Sequence, residues 1–281
     1  GIVAVGDVLS SVFTYYYTSR YSGKLGVVDL RDLEPEQGIP KVLESVIRSH
    51  SRVWFLPYAA GLNDLAAEYW LNNHAFKMEN RWFKTARYAL YSTNLDPPQV
   101  AEQVGAKFEN EVELTSYSLT ATRLAPGDAV QLSLRWKALQ DGRRDLKVSV
   151  RLTDQEGHVV SQIDRRPGDD TRITLIWREG DSIVDNLGII VPLGSPPGRY
   201  NLEVGLYERN TGRHLSTVAT AEQGSVAMLP LQSIVVTDSD NAAKIGAYRL
   251  GQRVDADFGS RIRLVGFDKL RASGRPGDRL A

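Results

Sequence analysis

Two periodicities divide the 281 residues of this chain. Through residue 95, short apolar runs alternate with stretches whose apolar positions fall three and four apart, the signature of a layer of strands and helices. Ile2 to Val5 reads as a strand, and Asp7 caps a helix through about Tyr17 in which Val8, Val12, Tyr15 and Tyr16 share a face. The continuous apolar run Leu25 to Leu30 suits a buried parallel strand. Pro35 marks a first helical turn, followed by Ile39, Val42, Leu43, Val46 and Ile47 at helical spacing. Arg52 to Tyr58 is a strand with Pro57 at its end, where no ladder donor is lost. A helix over about Leu62 to His74 and two strands, Phe76 to Arg81 and Tyr88 to Ser92, complete a small three-layer α/β domain at 1–95.

Asp96, Pro97 and Pro98 open a linker at 96–104, and beyond it the period becomes two. Val130, Leu132, Leu134 and Trp136 share one face, Val148, Val150 and Leu152 another, and Tyr200, Leu202, Val204 and Leu206 a third. Pro126-Gly127-Asp128, Asp141-Gly142, Glu156-Gly157, Pro167-Gly168-Asp169, Pro196-Pro197-Gly198 and Thr211-Gly212 separate these runs as turns. Many short alternating strands at this spacing predict an immunoglobulin-like antiparallel β-sandwich over 105–237.

Part of that pattern occurs twice. A shift of 150 positions lays Phe258 to Leu280 on Phe108 to Val130 without a gap. Phe108, Leu114, Pro126, Gly127 and Asp128 recur as Phe258, Leu264, Pro276, Gly277 and Asp278, and Val112 and Tyr117 return as Ile262 and Phe267. What is copied is apolar positions and one turn, hence a folding unit rather than a reactive group. The expected organisation is therefore a linker at 238–257 and the truncated start of a second sandwich repeat at 258–281, with Ile262, Leu264 and Phe267 burying an apolar face on a neighbour. An unfinished sheet has open edges, which suggests a strand-exchanged or edge-paired homodimer.

Composition changes this picture little. Lys plus Arg and Asp plus Glu balance at 34 each, so the basic footprint of a nucleic-acid partner is missing. With no cysteine, thiolate catalysis and Cys-ligated zinc are excluded. No run of about 18 apolar residues is present to span a bilayer. Gly1 and Ala281 read as cuts inside a longer protein.

Candidate chemistry is sparse. His50, His74, His158 and His214 are scattered without ligand spacing. Asp164, Asp169 and Asp170 beside a Pro-Gly turn offer a calcium site or, the favoured alternative, a solvated turn. Gly6-Asp7-Val8-Leu9 has one glycine where a dinucleotide loop needs three, and neither GK[ST] nor GxSxG occurs. Trp177 could present a ring for sugar stacking, the favoured alternative being a place in the sandwich core, and one ring of Tyr15-Tyr16-Tyr17 can face outward. Trp177, Asp169 and Asp170 are thus the ligand-binding candidates, with no catalytic residue, metal or cofactor assigned.

The segment 52–92, RVWFLPYAAGLNDLAAEYWLNNHAFKMENRWFKTARYALYS, resembles the soluble C-terminal portion of bacterial family 39 membrane glycosyltransferases, which are similar to protein O-mannosyltransferases and aminoarabinose transferases. The helix ending in FTYYY fits the same pattern, and PPGRYNLEVGLY at 196–207 and FGSRIRLVGFD at 258–268 look like β-sandwich modules appended to some of these proteins. The resemblance implies a parent enzyme that uses a polyprenyl-phosphate sugar, its catalytic membrane domain lying upstream. This chain would be a non-catalytic accessory region at the extracytoplasmic face of the bacterial membrane, spacing the enzyme or positioning its acceptor. A glycan or glycosylation acceptor would be its partner, with the membrane reached through the upstream segment. The alternative is a carbohydrate-binding or purely structural β-sandwich module of a cell-surface protein.

Overall fold

The computed structural model describes residues 2–6, 26–57, 61–83, 86–93, 100–168, 173–218, 225–238, 251–259 and 262–267. The expected helix at 7–17 with its three tyrosines, Asp169, Asp170, the Asp96-Pro97-Pro98 stretch and the second Pro-Gly-Asp turn lie outside the described residues. The described residues are mostly strand, and they build a β-sandwich-rich fold. The chain divides into two compact units, Gly1–Asp238 and Ser239–Ala281.

In the first unit, β1 (Ile2–Gly6) pairs in parallel with β2 (Gly26–Asp29) on one side and β3 (Arg52–Phe55) on the other. Helix α1 (Gly38–Ser49) joins β2 to β3 and buries Ile39, Leu43 and Val46, which recur one turn apart on one face. It starts later than Pro35 suggested, so Pro40 occupies the first turn, where a missing N–H breaks no helical bond. Helix α2 (Leu62–His74) runs over the expected residues and buries Ala67 and Leu71. Asn63 at its start donates to the carbonyls of Leu30 (2.7 Å) and Leu33 (3.0 Å), tying the helix to the chain leaving β2. The hairpin β4 (Phe76–Phe83) and β5 (Ala86–Ser92) then pairs antiparallel to β3. Leu30, Leu43, Phe55, Leu71 and Tyr91 belong to the core that these elements share.

The remaining strands of this unit are β6 (Glu102–Phe108), β7 (Val112–Leu119), β8 (Arg123–Leu124), β9 (Ala129–Ala138), β10 (Leu146–Thr153), β11 (Val159–Arg165), β12 (Ser182–Ile190), β13 (Gly198–Glu208), β14 (Thr217–Val218), β15 (Ser225–Val226) and β16 (Leu229–Val236). One sheet of five runs β11-β10-β13-β16-β8. The other runs β15-β14-β6-β7-β9-β12-β4-β5-β3-β1-β2, so the strands of the N-terminal part continue a face of the sandwich. Every inward row expected from the alternation is buried, with Trp136, Val150 and Leu202 in one core together with Phe108 and Leu114.

The division expected at 96–104 is therefore no break in the sheet. Strand β12 lies beside β4 in parallel, Leu187 opposite Lys77. Gly188 permits this, because a Cβ there would come within 2.8 Å of Met78 Cγ and 3.4 Å of the Phe76 carbonyl oxygen. Gln131 of β9 donates to Ser92 Oγ of β5 across 2.8 Å in a buried bond, and Arg52 of β3 reaches the Gly127 carbonyl in the Pro-Gly-Asp turn. Strand β6 also begins at Glu102, inside the stretch read as linker. A bulge between Gln103 and Ala106, with Gly105 at φ +68°, interrupts the alternation that would have marked it.

The second unit contains the hairpin β17 (Gln252–Phe258) and β18 (Ile262–Phe267). Strand β17 likewise starts within the expected 238–257 linker. Leu264, Phe267 and Phe258 are 41%, 37% and 59% exposed. The Ile262 side chain lies outside the described residues. Two strands form a single layer, and the described residues of this unit supply no opposing sheet.

Candidate functional site

Trp177 does not present its ring. It is 2% exposed and belongs to the sandwich core. The alternation of Ile173 and Leu175 is resolved as a short 3-10 turn, Thr174–Ile176, in which Thr174 is buried and Leu175 and Ile176 point outward. Thr174 Oγ1 donates to the Arg144 carbonyl (2.6 Å) and accepts from the Leu146 N–H (2.8 Å), which docks the turn on β10. Among the described residues of the sandwich, Phe108, Tyr117, Trp136, Tyr200 and Tyr207 are also buried or half-buried, leaving no aromatic platform on its surface.

The histidines are dispersed as expected, and one of them joins a small cluster. Asp154, Glu156 and His158 bring ligand atoms within 4.8 Å of one another in the β10–β11 turn. Asp154 is already committed there. Its Oδ1 accepts the backbone N–H of Glu156 (3.1 Å) and of His158 (2.8 Å), while Oδ2 lies 3.1 Å from His158 Nδ1. Desolvation pushes the Asp154 carboxyl up, but these bonds, led by the His158 N–H, hold it below its ordinary value. The turn is thus built by its own side chain.

Two charge clusters brace the first unit. Glu68 on α2 accepts Lys77 of β4 (2.9 Å) and two donors of Arg87 on β5. Burial works to raise the Glu68 carboxyl, yet bonds from Arg87 and then the charge of Lys77 bring it down to about 2. At the far end of the sandwich Arg144 holds Glu111 (2.9 Å), Glu109 (2.9 Å) and Glu208 (3.2 Å), and Arg213 bonds Glu109 at 2.6 Å. The Arg213 bond is the foremost cause that keeps Glu109 at about 2. In both clusters each charged group is paired with at least one of opposite sign, which is a structural arrangement.

A third polar group is different. In β12 the inward row Ile183, Asp185, Leu187, Ile189 carries one carboxylate, and Asp185 is 1% exposed. Arg165, the last residue of edge strand β11 in the opposite sheet, reaches across and bonds Asp185 Oδ1 and the Asn186 carbonyl (2.9 Å). Asp185 Oδ2 and Arg165 Nε are buried with no hydrogen-bond partner among the described residues. Both residues line a cleft of about 170 Å³ that also meets Tyr69, Asn72 and Asn73 on α2. Its floor is rigid: Asn186 Oδ1 accepts from Ser133 Oγ (2.6 Å), and its amide donates to the carbonyls of Asn72 (3.2 Å) and Asn73 (3.3 Å). Those carbonyls belong to the last turn of α2, which has no intrahelical donors to offer them. Beyond Arg165 the cleft's other side is a groove of about 340 Å³ between β4, β11 and β12. Sequence reasoning missed Asp185; the signal that could have found it is an Asp standing at alternating spacing among Ile183, Leu187 and Ile189.

No protein-family model and no curated protein matches the chain. Among solved structures, the C-terminal domain of Wzt is similar at 13% identity over 50% of this chain and 78% of that one, with a TM-score of 0.32. Bacteroides uniformis β-glucuronidase is similar at 11% identity over 47% of this chain and 14% of that one, TM-score 0.26. The sporulation control protein Spo0M of Bacillus subtilis is similar at 12% identity, over 48% of this chain and 49% of its own, TM-score 0.26.

Proposed function

We propose that this chain is a non-catalytic, extracytoplasmic accessory region of a polyprenyl-phosphate-sugar-dependent membrane glycosyltransferase, spacing the enzyme or positioning its acceptor. The observation that supports it is the placement of segment 52–92, which carries the resemblance to family 39 enzymes. Its strands β3, β4 and β5 lie in one sheet with β12 and β9 of the sandwich, so both halves act as a single accessory body. Within this reading, 1–95 is a small α/β domain and 105–237 an immunoglobulin-like sandwich. In favour of the latter, the Tyr200 hydroxyl donates to the Pro196 carbonyl four residues upstream (2.8 Å), as in a tyrosine corner. Hairpin β17–β18 is then the first hairpin of a second sandwich, completed by a following segment or by pairing with a second copy. Among the described residues no helix is long and apolar enough to cross a membrane, and the anchor in this reading is an upstream domain.

The gene region encoding the residues ahead of Gly1 tests this directly. A polytopic series of hydrophobic spans is expected there; a signal peptide or another sandwich overturns the reading. Incubation of the chain with a polyprenyl-phosphate sugar and an acceptor is expected to yield no transfer, and transfer by the chain alone overturns the non-catalytic assignment.

A further inference from the structure

We infer that the outer side of α2 is a self-complementary contact that pairs antiparallel with α2 of a second copy of this chain. Leu62, Leu65 and Tyr69 are 79%, 52% and 68% exposed, on a helix whose opposite side buries Ala67 and Leu71. Positions 62, 65 and 69 follow steps of three and four residues, so these side chains stand in one line at intervals of ~4.5 Å and ~6 Å along the axis. That is the spacing of a seam that meets another helix. The two carboxylates of α2 lie off this line, since Asp64 is buried and Glu68 is held by Lys77 and Arg87. A helix apolar on both sides is a buried helix, so the outer line calls for a partner.

Trp82 widens this surface. It is 65% exposed and stands opposite Arg87 in the β4–β5 hairpin, and directly opposed residues share a face of the sheet. Arg87 turns to Glu68 on α2, so Trp82 is on the helix side. Phe55 at the end of β3 faces Ala89 of β5, which puts the closed end of the hairpin at the Leu62 end of the helix. A second α2 supplies the matching seam, and a two-fold axis is the commonest way to close such a pair. An antiparallel arrangement about Leu65 sets Leu62 against the partner's Tyr69 with the helix dipoles opposed. With no charged group in the line, the axis brings no like charges together, and an uncharged centre with aromatic anchors is the composition of an interface core. A bilayer fits this face less well, because a helix lying in the lipid interface carries Lys or Arg on its polar side, whereas α2 has neither and its other side is core. Two leucines and two aromatics at this exposure offer less than the ~800 Å² per partner of a standard interface, so the dimer is weak. The contact goes beyond the accessory reading, and its test is independent of the upstream sequence.

Sedimentation equilibrium of the full chain is expected to show monomer and dimer with a Kd between ~10 μM and ~1 mM. Leu65→Lys sets two like charges at the axis and should raise Kd at least about tenfold, while Phe258→Ser in hairpin β17–β18 should leave it unchanged. Leu62→Lys, at the most exposed position of the line, carries the test if Leu65→Lys does not fold. Because the chain has no cysteine, Leu65→Cys gives a direct readout: oxidation should join two copies through this residue, whereas Leu62→Cys, which lies away from the axis, should not link. A monomer throughout this range, a dimer indifferent to Leu65→Lys, or equal linking in Leu62→Cys and Leu65→Cys overturns the inference. So does a monomer that co-sediments with phosphatidylglycerol vesicles and loses this in Leu65→Lys, which would assign the face to a bilayer.

Discussion

Hairpins β6–β7 and β17–β18 are the same object in two surroundings. In the first, Phe108 faces Val112, Ala106 faces Leu114 and Glu102 faces Tyr117, with a bulge between Gln103 and Ala106. In the second, Phe258 faces Ile262, Ala256 faces Leu264 and Gln252 faces Phe267, with the bulge between Arg253 and Ala256. Every one of these pairs is displaced by the same 150 positions as the sequence repeat. The turns agree too, since Glu109 and its counterpart Gly259 both take positive φ, +45° and +65°. Burial does not agree: Phe108 and Leu114 are enclosed, whereas Phe258 and Leu264 are open. Local sequence is therefore sufficient to set register, bulge and turn of this hairpin, and only an opposing sheet turns its apolar face into a core.

The largest test of this contrast is truncation of the paired phenylalanines. Phe108 packs edge-on against Trp136 with ring centroids 5.9 Å apart, and Phe108→Ala should lower unfolding stability by about 3–5 kcal/mol in a urea titration. Phe258→Ala should change the same transition by less than about 0.5 kcal/mol. Equal losses would mean that the second hairpin already has a core.

A smaller effect is expected at the turn. Arg144→Ala leaves Glu109, Glu111 and Glu208 close together without their shared cation, at a cost of about 1.5–3 kcal/mol at neutral pH. Because the repulsion is between carboxylates, part of the loss should be recovered on acidification to about pH 4. A loss independent of pH would show that Arg144 acts through packing alone.

The smallest effect concerns acid. Glu109 titrates at about 2 in the folded chain, below its ordinary 4.5, so its contribution to stability is full above pH 4.5 and fades as pH falls from there toward 2. Glu109→Gln should flatten the decline over that window. Glu68 is also held at about 2 and loses its contribution over the same range, so the variant's curve should be flatter without becoming level. An unchanged decline in Glu109→Gln would remove the turn from the acid response. Gly259 brings no carboxylate to the second hairpin, which makes this device specific to the first.

Much of the fold could be read along the chain. The extent of α2, the three inward rows of the sandwich and the existence of the second hairpin follow from spacing, because side-chain direction on a helix or strand is a local property of the backbone. The bulged strands β6 and β17 escaped that reading because one extra residue reverses the alternation. The core position favoured for Trp177 agrees with its burial, but the backbone before it escaped that reading, because Ile173 and Leu175 belong to a 3-10 turn rather than an alternating strand. Asp185 escaped it as well, since its strand was not among the rows read from spacing and its partner Arg165 is twenty residues earlier and in the other sheet. The sequence by itself thus determined which way side chains point in the regular helices and alternating strands, and that the hairpin recurs. Tertiary structure alone decided that β4 joins β12 through the space left at Gly188, that Asp185 meets Arg165, and that one copy of the hairpin is enclosed while the other is not. The reason is physical: direction depends on neighbours a few residues away, whereas burial and ion pairing depend on surfaces contributed by distant parts of the chain.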